Sequence, residues 1–163
     1  MTRKTLSLAV KRNKVAKPVV ADINDIPQTD PHKGFLNGVA ISPNQCIRLE
    51  LGSQQHTTRA IDMISPIGMG QRGLIVAPPG SGKTTILKHV CQAVGKAYPE
   101  IKLYALLIDE RPEEVTDFKR SVPAQVHASS SDESYDQHVR VADDLLDLAR
   151  KEAGAGHDVM IVI

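Results

Sequence analysis

The chain has 163 residues, 41% apolar and 24% charged, which fits one globular domain and excludes a wholly disordered chain. It has no Trp, three Tyr and two Phe, too few rings for a surface that stacks single-stranded bases, and no apolar run approaching the ~20 residues of a membrane helix. Net charge is +1 but unevenly placed: six of the 20 basic residues (Arg3, Lys4, Lys11, Arg12, Lys14, Lys17) lie in residues 1–17 with no acid, leaving 14 against all 19 acids.

A basic arm therefore precedes a mildly acidic body. Such an arm suits a nucleic-acid or phosphate surface, and equally a solvated tail; a transit peptide fits it less well. Residues 18–45 hold Pro18, Pro27, Pro31 and Pro43 with Gly34 and Gly38, a density of turn formers that reads as a linker. The expected division is residues 1–42 as arm and irregular linker, and residues 43–163 as the folded domain. Cys46 and Cys91 have no partner cysteines at metal-ligand spacing. They read as reduced thiols of a cytoplasmic protein.

Ile47, Leu49 and Leu51 alternate with polar residues and predict a short strand, with another at Ala60–Ile64. Leu74–Ala77 is a continuous apolar run, expected as a buried strand. Thr84–Lys96 predicts a helix with Ile86, Leu87, Val90 and Val94 on one face. Leu103–Ile108 predicts a second buried strand. Pro112–Ser121 predicts a helix, with Pro at its first position and Glu113 and Glu114 in its first turn. Gln125–Ala128 predicts a strand. Ser134–Ala153 predicts a long amphipathic helix stopped by Gly154 and Gly156. Val159–Ile163 opens a last strand.

Strands alternating with helices predict an α/β fold with a parallel sheet flanked by helices. A loop or functional residue normally comes after such a strand, so the sheet reads as incomplete at Ile163. An unpaired apolar edge and association of the chain are the expected consequences.

Between the strand and helix lies Ala77-Pro78-Pro79-Gly80-Ser81-Gly82-Lys83-Thr84, a Walker A loop with Ala at its first glycine. Backbone N–H groups of Ser81, Gly82, Lys83 and Thr84 are expected to converge on phosphate oxygens, beside the positive end of the next helix. Gly80 and Gly82 permit backbone angles that a Cβ hinders. Lys83 would neutralise the β- and γ-phosphates of ATP, and the Thr84 hydroxyl would ligate Mg²⁺. Upstream, Gly68-Met69-Gly70-Gln71-Arg72-Gly73 spells G-x-G-x-x-G, but it precedes a strand instead of opening a helix. From the residues alone it is a turn.

Asp109, Glu110 and Arg111 stand at the carboxyl end of the second buried strand, where an open parallel sheet faces its ligand. A carboxylate there would deprotonate the water that attacks the γ-phosphate. Glu110 is the candidate and Asp109 its rival, while capping of the helix at Pro112 accounts for the same acids equally well. Asp132, Glu133 and His138 form a further polar patch, read as an acidic cap and an exposed His.

Two long blocks, Ser65–Pro79 and Leu106–Thr116, together with His138-Val139 and Val141-Ala142, resemble the transcription termination factor Rho family over about residues 43–163. The resemblance implies a RecA-like P-loop NTPase core, an ATPase working as a homo-hexameric ring that translocates on RNA as a helicase, with RNA polymerase a further partner. It implies ATP and Mg²⁺ as ligands. Gly80, Ser81, Gly82, Lys83, Thr84 and Thr85 would bind phosphate and Mg²⁺. Gly68, Met69, Gly70, Gln71, Arg72 and Gly73 would line the nucleotide site. Glu110 would be the catalytic carboxylate, with Lys83 beside it, and Arg111 a nucleotide contact. The chain departs from the family at Gly80, where a basic residue is usual. The alternative reading is a nucleotide-binding or ring-interaction module that does not hydrolyse ATP.

Overall fold

The computed structural model describes Phe35 and residues 42–163; the expected basic arm and nearly all of the linker lie outside the described residues. Strand β1 (Cys46–Ile47) pairs antiparallel with β2 (Ile67–Gly68). Between them run a short 3-10 turn, Leu49–Leu51, and helix α1 (His56–Ile64). The expected strand over 47–51 thus stops after Ile47, where the chain tightens so that the Gly52 amide donates to the Leu49 carbonyl at 3.1 Å. The strand expected at Ala60–Ile64 is instead the second half of α1. Five apolar-rich residues do not distinguish the two periods, and burial of Thr58 with exposure of Met63 and Ile64 follows the helical one.

The strand expected at Leu74–Ala77 is also absent. No described strand pairs with it, and Leu74 and Val76 are 59% and 70% exposed. A parallel strand needs ladder neighbours to bury its two faces. Without them the segment is irregular chain leading to the glycine loop.

From residue 83 onward the expected grammar is present. Helix α2 (Lys83–Ala97) is followed by β3 (Lys102–Glu110), α3 (Pro112–Ser121), β4 (Gln125–Ser130), α4 (Tyr135–Gly154) and β5 (Val159–Val162). The strands form a parallel sheet in the order β4-β3-β5. β3 alternates between two cores. Leu103, Ala105 and Leu107 meet Val90, Val94 and Phe118 of α2 and α3. Tyr104 and Leu106 meet Leu145 and Ala149 of α4. The step from β3 to β4 and the return across β3 to β5 go in opposite directions. Crossovers of one hand therefore place α3 and α4 on opposite faces.

Local chemistry fixes the helix ends. Pro112 occupies the first turn of α3 with Glu113 and Glu114, and Lys119 and Arg120 occupy the last, each charge matching the helix dipole. The Ser134 hydroxyl caps α4 by accepting from the Gln137 amide at 3.3 Å. Gly156, at φ +94°, turns the chain out of α4.

Cys91 lies wholly inside the α2 face, and burial pushes its thiol up to about 12, because the thiolate is disfavoured away from water. Cys46 is exposed. A disulfide-exchange reagent at pH 8 should therefore titrate one thiol per folded chain, and the second only on unfolding. Phe118 is 1% exposed between α2 and the sheet. Phe118→Ala should cost about 3–5 kcal/mol in urea denaturation.

Candidate functional site

The loop before α2 reverses the chain through two left-handed residues. Gly80 has φ +73° and Gly82 φ +89°. No heavy atom stands within 4 Å of where a Cβ would sit at either position. The angle and not the space demands glycine, since a left-handed angle costs another residue roughly 1–2 kcal/mol. Ser81 closes the turn: its amide and hydroxyl donate to the Pro78 carbonyl at 3.4 and 2.6 Å. The Ser81 amide is thus engaged within the loop and does not join a four-amide nest.

Lys83 is buried and folds back on the same loop. Its Nζ donates to the carbonyl oxygens of Ala77 at 2.5 Å and Pro78 at 3.3 Å. The buried cation is satisfied by backbone carbonyls.

Across from the loop, β3 ends in a bulge. Ile108 pairs with Ser129 and Glu110 with Ser130, so Asp109 is an extra residue. Asp109 has φ +57°, the one positive φ outside glycine among the described residues. Asp tolerates this angle better than most residues. The bulge re-aims Glu110 and Arg111 at the strand's end. It is held open by the Ser131 amide, which donates to the Glu110 carbonyl at 3.1 Å.

Ser129 anchors that end of β4. Its fully buried hydroxyl donates to Glu133 Oε2 at 2.8 Å and meets His138 Nδ1 at 2.5 Å. Glu133 and His138, expected as cap and exposed His, thus tie α4 to the strand beside the bulge. The neighbouring Asp132 carboxyl is held below the usual range by the Ser130 hydroxyl and by its own backbone amide.

Loop and bulge enclose a cleft of about 790 Å³. Gly80, Gly82, Lys83, Thr84 and Thr85 line one wall; Asp109, Glu110 and Arg111 line the other. The structure therefore brings together the two blocks that the sequence separates by more than twenty residues. It does not bring in Gly68, Met69, Gly70, Gln71, Arg72 or Gly73, which are absent from the cleft's lining. Gly68 ends β2 and the others follow it; the Gln71 side-chain oxygen accepts from the Gly68 amide at 2.7 Å. That bond sets the local shape of the turn. Ser81 is outside the lining too.

Three residues of the lining escaped the sequence reading: Lys88, Glu114 and Asp117. The signal was spacing. Lys88 is four residues after Thr84, and Asp117 three after Glu114, which places each pair on one helix face.

A loop of this form beside a helix N-terminus receives an anion, and the opposing carboxylates can orient a water against it. The model of the ATP synthase alpha/beta family, nucleotide-binding domain, matches residues 57–162. The chain belongs to this family. As a nucleotide-binding domain of the ATP synthase alpha/beta family it is similar to transcription termination factor Rho of several bacteria. It is 44% identical to that of Karelsulcia muelleri over 131 residues, which is 80% of this chain and 35% of that protein. It is 47% identical to that of Mycobacterium tuberculosis over 121 residues, 74% of this chain and 20% of that protein. It is 44% identical to that of Haemophilus influenzae over 132 residues, 79% of this chain and 31% of that protein. The chain thus spans about a third or less of the length of these relatives.

The bulge gives a direct test. Asp109→Val should lose about 1–2 kcal/mol relative to Asp109→Gly in urea denaturation, because a β-branched side chain resists the left-handed angle.

Proposed function

We propose that residues 43–163 are the ATP-binding part of a Rho-type, ATP-dependent RNA translocase acting in transcription termination. The observation that carries this reading is the cleft that joins Gly80–Thr85 to Asp109–Arg111. Similarity to the Rho proteins supports the choice among nucleotide-binding relatives. RNA as the track, a homo-hexameric ring as the assembly and RNA polymerase as a partner come from the resemblance to that family.

In this reading the triphosphate lies along the loop. The Gly82, Lys83 and Thr84 amides and the start of α2 donate to its oxygens. Lys83 exchanges the Ala77 and Pro78 carbonyls for phosphate oxygens, so the loop holds the cation ready without a competing carboxylate. Glu110, aimed by the bulge, takes the proton of the attacking water. Arg111 contacts the nucleotide from the opposite wall.

The residues fit a magnesium ion that arrives on the nucleotide. Thr84 offers a hard hydroxyl oxygen, and Asp109 and Glu110 offer carboxylates in the same cleft. The described residues form no cluster of three His, Cys, Asp or Glu able to hold a metal unaided. One or two protein oxygens plus substrate phosphates is the usual way such an ion is held. Bound there, it would neutralise charge on the transferred group. Among the described residues no helix is long and apolar enough to cross a membrane.

Two substitutions separate binding from chemistry. Lys83→Ala should abolish ATP binding in a calorimetric titration. Glu110→Gln should leave affinity within about threefold and lower turnover by roughly 10²-fold or more, the usual contribution of a general base. Unchanged binding by Lys83→Ala would remove the loop from the account.

A further inference from the structure

Lys88 sits one turn beyond Thr84 on α2 and lines the same cleft as the phosphate loop. Its side chain is only 17% exposed. Its ammonium is ion-paired with Asp117 of α3, which lines the same cleft, and stands 5.8 Å from the Phe118 ring centre. The hydrogen bond from Lys88 holds the Asp117 carboxyl below its ordinary range.

Asp117 and α3 do not depend on this pair alone. Asp117 is 68% exposed to water, and the Ser121 hydroxyl, which donates chiefly to the Asp117 carbonyl at 2.6 Å, stands 3.3 Å from its Oδ1. α3 stays on α2 by other means. Gln92 Nε2 donates to the Ser121 carbonyl at 2.7 Å, and Val115 and Phe118 are buried in the shared core. A cation that is sheltered, lines an anion-binding cleft and is countered by a dispensable carboxylate is available to a stronger anion. A polyphosphate in the cleft is such an anion, and its charge exceeds what Lys83 alone neutralises.

We infer that Lys88 is a second cation for the bound polyphosphate, held off it by Asp117, so that nucleotide and α3 compete for one ammonium. This rests on the nucleotide-binding reading of the cleft. It adds a consequence that reading lacks: Asp117 opposes nucleotide binding, although it forms an ion pair in the empty cleft. Occupancy of the cleft releases Asp117 to solvent and loosens one of the ties between α2 and α3.

A purely structural pin and a competing cation predict different signs. If the pair only pins α3, removing either partner weakens binding or leaves it unchanged. Under competition the two substitutions act in opposite directions. The experiment measures affinity for ATP with Mg²⁺ by calorimetry on the unaltered chain, Asp117→Asn, Lys88→Met, Lys88→Arg and the Lys88→Met/Asp117→Asn double variant, each checked by its melting transition.

Asp117→Asn should bind about fivefold tighter and Lys88→Met roughly tenfold weaker, the scale of one partly exposed ion pair. Lys88→Arg, which keeps the charge, should stay within about threefold, and Asp117→Asn should have no effect in the Lys88→Met background. Weaker or unchanged binding by Asp117→Asn overturns the inference while leaving the nucleotide reading intact. Absence of binding by the unaltered chain overturns both. If Lys88→Met does not fold, the sign of the Asp117→Asn effect decides, since that substitution changes a largely exposed side chain.

Discussion

The reversal of the chain at Gly80 and Gly82 is the constraint on which the site depends. Two left-handed residues let residues 77–83 double back within a few positions and start α2 at Lys83. That sets the helix N-terminus at the cleft and returns the Lys83 side chain to the carbonyls of Ala77 and Pro78. A Cβ at either glycine meets no obstacle, so the demand is conformational. The loop therefore carries its geometry in the backbone, and the side chains it presents are chosen for chemistry.

The opposite wall obeys the same logic by a different device. β3 is buried on both faces through Leu107, so it cannot turn a charged residue into either core. The bulge at Asp109 breaks the alternation where the strand emerges from the sheet. Ser129, Glu133 and His138 then fix the partner strand, so the bulge rests on an anchored neighbour. The rigid sheet delivers the carboxylates, and the irregular residues at its end aim them.

Much of this was legible in the sequence from residue 83 onward. Helices α2, α3 and α4 and strands β3, β4 and β5 are set by periodicity and by Pro112, Ser134 and Gly156, which act within a few residues of themselves. The loop was legible because its glycines and Lys83 have a local meaning. The misread elements depended on partners. Leu74–Ala77 reads as a buried strand but has no ladder neighbour among the described residues. Ala60–Ile64 was decided by its packing as the end of α1. The Lys88–Asp117 pair was placed by the docking of two helices. Spacing puts Lys88 on the face of Thr84 and Asp117 on that of Glu114, but contacts between elements leave no trace in a single chain's periodicity.

The central claim is that an anionic nucleotide enters between the glycine loop and the end of β3. Backbone amide resonances followed by NMR during titration with ADP and Mg²⁺ test it most directly. The account predicts saturable shifts centred on Gly80, Gly82, Lys83 and Thr84, with smaller ones at Asp109–Arg111. Shifts centred elsewhere, or none up to millimolar ADP, would contradict it.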